Sequence, residues 1–476
     1  MKFPGTYAAY AVIEAVFGQT AQGIHYGLLA VNLATILLVY HLGNRFFGSR
    51  HTAVMAAAIY AISSLSFSFM GPMAHATHFV VFFGLAGIAL LFGALRWNST
   101  LGFALAGAVT GLAYMAKQSG FYFVPFGCLI VLSRYDWHPF CPPVLRALSY
   151  FLAGAFAPFA FTVFLFQQLG CLDEFVFWTF RYASTYGSSL SDALELIPLQ
   201  VHFITHWGLG WIFFAPCILI FLPPIWRRAS LPRANLLLLA LFLALSFAGV
   251  ALGLLFRQHY FIQALPAVAL LSALSLATIS AGIFRRNSSK YAIPIALLIC
   301  LTLCGTVVAG EASSFFFAPP ARIIWELYRG RPFVEAITVS DYIRQHSDPQ
   351  DRIFVFGSEP EIYFYSKRRA ATSNIYLYNL LENQPYASQM QRRMIADVEN
   401  CRPRYFISAH EPILTPPDIE RRIALFQWEK RYLTDYYRPV LMLDRDFSKN
   451  RLILRKSFEA PRFSYNGCYI IIWERK

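Results

Sequence analysis

Residues 235–256 read NLLLLALFLALSFAGVALGLLF, and RQHY follows at 257–260. The stretch carries no ionisable side chain. A bilayer hydrocarbon core of ~30 Å is crossed by roughly 20 apolar residues of helix, and in lipid every backbone amide must be satisfied inside the segment. A membrane-spanning helix is therefore predicted here. Segments of the same kind stand at 24–41, 52–69, 77–95, 101–116, 118–133, 147–167, 205–224, 259–282 and 291–310, so about ten transmembrane helices are expected. The fourth and fifth in chain order, 101–116 and 118–133, are short and meet at Lys117.

Composition agrees, at 57% hydrophobic and 14% charged residues. Such a chain is not a soluble enzyme of the usual kind. Its charges are unevenly placed: residues 1–314 hold only Glu14, Asp136, Asp173, Glu174, Asp192, Glu195 and Glu311 of the 26 acids. Two bodies follow, a multi-helix transmembrane domain at 24–312 behind an outer juxtamembrane segment 1–23, and a more polar domain at 313–476. In the latter, helices near 335–346 and 388–400 alternate with short apolar runs at 353–356, 405–407, 438–443, 451–455 and 468–473, the pattern of a small α/β domain. The net charge of +14 reads as a topology device and an attraction for anionic lipid rather than as a nucleic-acid footprint.

With alternating crossings, one set of loops carries Arg45, Arg50, Arg96, Arg134, Arg146, Arg227, Arg228, Arg233, Arg285, Arg286 and Lys290, and the other only Lys117, Arg181 and Arg257. The basic set is cytoplasmic by the positive-inside rule. Residues 1–23, the loop 168–204 and the C-terminal domain are then expected outside. The opening MKFPGTYAAYAVIEAVFG lacks the basic n-region and apolar core of a signal peptide, so an upstream helix is expected to carry the start across.

The residues at this point resemble a family. Lys2-Phe3-Pro4-Gly5-Thr6-Tyr7, LVYHLGNRFFG at 38–48, the Ala74-His75-Ala76-Thr77-His78 run, GAVTGLAYMAKQSG at 107–120, Phe177-Trp178-Thr179-Phe180-Arg181-Tyr182 with Tyr186, Arg257-Gln258-His259-Tyr260 with Pro266, and DRIFVFGSEPEIYFYSKRRAAT at 351–372 are similar to stretches of GT-C superfamily glycosyltransferases of family 39 type. These are relatives of protein O-mannosyltransferases and the bacterial aminoarabinose transferase. The resemblance implies a membrane glycosyltransferase that moves a sugar from a polyprenyl-phosphate carrier to an extracytoplasmic glycan, lipid or protein acceptor. It also implies an inverting displacement in which a divalent metal is optional, and the tail motif suits a bacterial inner membrane. The family's catalytic acid would stand in a first outer loop upstream of Met1, and Thr77 occupies a place where a second acid is frequent. The alternative is a non-catalytic relative that binds lipid-linked sugar or partners an active transferase.

Such a reaction needs a carboxylate to take the acceptor's proton and cations to hold the departing phosphate. Glu14 is the one candidate acid near the expected active face, against the ordinary role of a solvated residue on a short helix. For donor phosphate or sugar the candidates are Arg257, His259, Tyr260, Lys2, Lys117, Arg181, Tyr182 and His78. A lone basic residue at a helix end otherwise snorkels to headgroups, and Tyr182 with Trp178 otherwise joins an aromatic belt. His75 and His78 are spaced to share a metal, but no third ligand is visible, and no metal is assigned. No nucleotide-binding motif stands in a suitable context. Cys401 and Cys468 would pair in an oxidising compartment only if the fold brings them together.

Overall fold

The computed structural model describes residues 3–185, 189–283, 289–328, 332–410, 419–446, 451–455 and 469–476. Lys2, Tyr186, Arg285, Arg286, Asn287 and Cys468 fall outside them. The chain divides into two compact units, Met1–Phe317 and Ala318–Lys476.

The first unit is helical: α1 (Pro4–Phe17), α2 (Ala21–Phe47), α3 (Arg50–Ser63), α4 (Ala76–Trp97), α5 (Thr100–Ala116), α6 (Phe123–Arg134), α7 (Pro142–Gln168), α8 (Leu172–Val176), α9 (Leu190–His206), α10 (Phe214–Leu219), α11 (Pro223–Arg228), α12 (Arg233–Ala251), α13 (Leu265–Ile283) and α14 (Ala292–Gly310). Helix starts are set by short polar side chains that satisfy first-turn amides. Thr20 Oγ1 accepts from Gly23 N at 2.9 Å and Ser99 Oγ from Gly102 N at 3.0 Å. Helices α4, α5 and α7 pack through small residues, as is usual where lipid supplies no hydrophobic drive to associate. Gly107 lies against the backbone of Phe151 and Gly154 against that of Ala104, so any Cβ there would strike a carbonyl.

Six of these helices, α2, α4, α7, α12, α13 and α14, are long and apolar enough to cross a membrane. Of the other four expected spans, 101–116 is found as the shorter apolar helix α5, and the remaining three differ from their sequence reading. Helix α3 stops at Ser63 and a 3-10 turn, Phe67–Phe69, replaces its last part. Helix α5 has 17 residues, and 118–133 splits into the 3-10 turn Gln118–Tyr122 and the 12-residue α6. The region of 205–224 is a bend of 104° between α9 and Gly210–Leu219. Helices α3 and α6 need no full apolar length, because Met55, Ile59, Tyr60, Phe126 and Ile130 face protein rather than lipid. Helix α12 ends at Ala251 instead of 256, since Gly253, Leu254 and Phe256 take left-handed backbone angles that no helix continues through.

The second unit holds α15 (Pro320–Leu327), α16 (Phe333–His346), α17 (Glu361–Ser366), α18 (Tyr378–Leu381), α19 (Ala387–Cys401) and α20 (Ile419–Tyr436) around a six-stranded sheet. Its strands are β1 (Arg352–Phe356), β2 (Arg369–Ala370), β3 (Tyr405–His410), β4 (Tyr437–Asp446), β5 (Arg451–Arg455) and β6 (Tyr469–Arg475), in the order β2-β1-β3-β6-β4-β5. The pairs β1–β2 and β1–β3 are parallel and the rest antiparallel. Strand β1 is buried on both faces, with successive side chains pointing to opposite sides. Ile353 and Val355 join Ala336, Val339 and Ile343 of α16, while Phe354 and Phe356 join Phe406 and, through Phe356, Trp428 of α20.

The triplet Lys367-Arg368-Arg369 reads as a solvated face, or as one that meets headgroups or an anionic acceptor; Lys367 and Arg369 are exposed, but Arg368 departs from that reading. Arg368 is 7% exposed. It donates from Nη2 to Arg344 O and Ser347 O at 3.2 and 2.7 Å, from Nη1 to Ser366 O at 3.1 Å, and from Nε to Ser347 Oγ at 2.9 Å. The carbonyls belong to the last turns of α16 and α17 and the residue after α16, which have no partner within their helices.

Candidate functional site

Because the helices alternate in direction, the segments 64–75, 117–122, 169–185, 189–213 and 252–264 fall at one end of the bundle. The candidate residues are carried by irregular turns at that end. Lys117 is the extended residue (φ −161°, ψ 145°) between α5 and the turn Gln118–Tyr122. Its Nζ stands 3.5 Å from the centroid of the Tyr260 ring, a cation–π contact. Tyr260 meets His259 edge to face at 4.8 Å, and His259 stacks on His75 at 4.0 Å with the rings 10° from parallel. One continuous chain of contacts, Lys117–Tyr260–His259–His75, therefore joins three loops that are far apart in sequence.

Hydrogen bonds fix that chain at both sides. Gln263 Nε2 donates to Ser119 O at 2.9 Å, tying the turn that bears His259 to the turn after Lys117. Helix α1 braces both ends: Thr6 Oγ1 donates to Ala116 O, beside Lys117, and Tyr10 Oη to Ala74 O, beside His75. Phe3 is buried among Tyr114, Phe159, Phe175 and Phe180.

The remaining candidates are not members of this chain of contacts. Arg257 is exposed and heads a 3-10 turn, Gln258–Gln263, so it does not begin a regular helix; α13 starts at Leu265. His78 is 2% exposed and stands over the backbone of Gly71 and Met73, while His75 turns to His259. The spacing that suggested a shared His75–His78 site thus resolves into two separate environments. Tyr182 is 3% exposed, packed by Trp178 and Phe177 at 5.4 and 6.4 Å, and Arg181 beside it is exposed. Tyr182 is accordingly an interior residue, not a member of an aromatic belt. Glu14 is half-buried on α1, one turn beyond Tyr10 and on the same face. Lys2 lies outside the described residues.

Among the described residues no group of three or more His, Cys, Asp or Glu side chains is arranged to hold a metal ion. What the chain of contacts offers is a cation and two imidazoles held at fixed positions, with an exposed guanidinium nearby. Such a set can hold an anion and stabilise charge that develops on it.

A buried acid not singled out in the sequence holds the same end of the bundle together. Glu311, the residue after α14, is 4% exposed. Its Oε1 accepts from Ser66 Oγ at 2.6 Å and Leu209 N at 2.8 Å, and its Oε2 from Phe67 N at 2.8 Å. Ser66 Oγ in turn accepts from Gly210 N at 3.1 Å. The carboxylate thereby joins the turn Phe67–Phe69, the bend after α9 and the end of α14. Gly208 has to lack a side chain here, since a Cβ would lie 2.5 Å from Glu311 Oε1. The sequence signal was a lone acid at the end of an apolar span.

Residues 3–162 match the family model described as dolichyl-phosphate-mannose-protein mannosyltransferase. No curated protein matches the chain by sequence. Among solved structures, the chain is similar to ArnT from Cupriavidus metallidurans bound to undecaprenyl phosphate, at a TM-score of 0.55 and 14% identity over 86% of this chain and 83% of that one. The apo state of the same protein gives a TM-score of 0.49 at 14% identity, over 86% and 82%. The chain is thus an integral membrane protein with the GT-C glycosyltransferase fold, and its first third matches the mannosyltransferase family.

Proposed function

We propose that this protein transfers a sugar from a polyprenyl-phosphate carrier to an acceptor at the extracytoplasmic face of a bacterial cell membrane. The observation that carries the reading is the contact chain Lys117–Tyr260–His259–His75, with Arg257 exposed beside it. An ArnT structure of the same fold is bound to undecaprenyl phosphate, which supports a lipid phosphate as the anion to be held. The described basic residues at the far end of the bundle, from Arg45 to Lys290, support a cytoplasmic position for that end. The candidate site and residues 313–476 are then extracytoplasmic.

In this reaction an acceptor hydroxyl oxygen bonds to the anomeric carbon as the bond from that carbon to the phosphate oxygen breaks. The bonding pair leaves with the carrier phosphate. Lys117, His259 and Arg257 are the groups that stabilise its added charge, and Tyr260 holds Lys117 in place. The acceptor's proton passes to a carboxylate, for which Glu14 is the candidate on this chain. A second reading, binding of lipid-linked sugar without transfer, is favoured by Thr77 at the position where an acid is frequent in the family.

The test is the full chain in liposomes with radiolabelled undecaprenyl-phosphate sugars, together with native mass spectrometry of undecaprenyl phosphate binding. Lys117→Met and His259→Ala are each expected to lower turnover about 10²-fold, the usual loss on removing one group that stabilises transition-state charge, and to weaken binding. Binding without turnover in the unmodified chain selects the second reading. Failure to bind the carrier phosphate at all, in a chain that melts cooperatively, removes both.

A further inference from the structure

We infer that α9, Leu190–His206, is an amphipathic helix that lies flat in the bilayer interface beside the candidate site, with one apolar stripe in lipid, and is not half of a broken membrane span. Leu190, Leu194, Ile197 and Val201 are exposed at 68%, 62%, 37% and 52%. Spaced by 4, 3 and 4 residues, they fall within an arc of about 60° on a helix that turns 100° per residue. Ser191, Glu195, His202 and His206 occupy an adjacent exposed face. The third face is packed: Ala193 and Ile204 are 1% and 8% exposed, and the helix rests on the turns Phe67–Phe69 and Gln258–Gln263. An exposed apolar stripe next to an exposed polar one is the pattern of a helix at a lipid–water boundary.

The angle supports the same conclusion. Gly210–Leu219 runs against the buried span α13, where Ser272 Oγ donates to Phe213 O at 2.7 Å. Relative to that segment α9 turns by 104°. The bend is fixed by the bonds of Leu209 N to Glu311 and Gly210 N to Ser66. If Gly210–Leu219 follows the membrane normal beside α13, α9 lies close to the membrane plane. Helix α9 also begins as a unit of its own, with Ser189 and Asp192 exchanging side-chain and backbone bonds at 3.1 and 3.3 Å in a capping box. As half of a span it would carry Glu195, His202 and His206 into hydrocarbon, which is costly. Flat at the surface, it keeps them in water. The occupant of the stripe is thus a phospholipid surface, continuous with the lipid that covers α7 and α14.

The test is site-directed nitroxide labelling at positions 194, 197, 195 and 206, one at a time, in the full chain with its native cysteines replaced. The chain is embedded in nanodiscs of phosphatidylethanolamine and phosphatidylglycerol, and power saturation is read against oxygen and a water-soluble nickel chelate. Labels at 194 and 197 are expected to be rich in oxygen and shielded from nickel at an equal depth, about 5–10 Å below the headgroups, and labels at 195 and 206 the reverse. Depth rising steadily along the helix means a broken span and overturns the inference, as does nickel access at all four positions. Dipolar broadening at 194 and 197 that disappears on dilution with unlabelled chain identifies a second copy as the occupant and overturns it too. If the cysteine-free chain does not fold, the same positions carry a ketone-bearing residue and its nitroxide in the native background.

Discussion

Two buried charges, one in each unit, do opposite versions of one task. Glu311 of the membrane unit accepts from the amides of Phe67 and Leu209 and the hydroxyl of Ser66, all at the starts of turns. Arg368 of the C-terminal unit donates to the carbonyls of Arg344, Ser347 and Ser366, all at the ends of helices. Turn and helix starts leave N–H groups without partners, and helix ends leave C=O groups. A carboxylate serves the first and a guanidinium the second, in line with the sign of the helix dipole. The comparison teaches that an ionic side chain can be buried without an opposite charge when backbone groups complete its hydrogen bonding. It also separates the units: the membrane unit uses its charge to gather loops around the site end, and the α/β unit uses its own to tie the ends of α16 and α17 together.

The comparison breaks most easily at Glu311. Glu311→Leu leaves two buried donors and one half-buried donor without their acceptor and is expected to destabilise the membrane unit by roughly 3–5 kcal/mol, seen as lost folded yield and a lower melting temperature in detergent. A wild-type melt would mean that the carboxylate does not hold the loops. Arg368→Leu is next, at roughly 2–3 kcal/mol, because its carbonyls can still turn partly to water. Limited proteolysis of the second unit reads this, and Arg368→Lys should recover only part, since an ammonium cannot span the same fork of acceptors. Gly208→Ala tests the crowding at Glu311 from the other side and should cost about 1–3 kcal/mol as the carboxylate is pushed from its donors. An unchanged melt would show that the bend at 207–210 has room to relax.

A pH-dependent effect concerns another buried acid, Glu429, 0% exposed and bonded from Ser408 Oγ at 2.6 Å. Burial pushes its carboxyl up to about 8, against the bond from Ser408, which lowers it. Its folded value is above the unfolded one, so its contribution to stability is full below about 4.5 and falls as pH rises to about 8. Glu429→Gln should therefore melt within about 1 kcal/mol of wild type near pH 5 and gain on it at pH 9. Parallel melting curves of the two chains across that range would contradict the assignment.

Much of the fold is legible in the sequence because lipid imposes length and apolarity on any segment that crosses it. The residues of 77–95, 147–167 and 291–310 announce helices that the structure extends by a few residues at most ends. In the second unit, the runs 353–356 and 451–455 match β1 and β5, and β1, paired on both sides, is apolar because it is buried in the sheet. Strand β2, two residues long, has no period to read. Arg368 misleads for a related reason: it looks as solvated as its exposed neighbours Lys367 and Arg369 until α16 and α17 bring their ends together around it.

By itself, the sequence determined that this chain is a bundle of membrane helices joined to an α/β unit, because hydropathy is a local property and the bilayer reads it locally. It also nominated Lys117 at one helix end and Arg257 with His259 and Tyr260 at another, as cationic and hydroxyl donors. Only the tertiary structure decided that Lys117 meets Tyr260, that His75 and not His78 stacks on His259, and that Glu311 is a junction. Those contacts join residues more than a hundred positions apart, and their partners follow from how the helices pack, which no local pattern encodes.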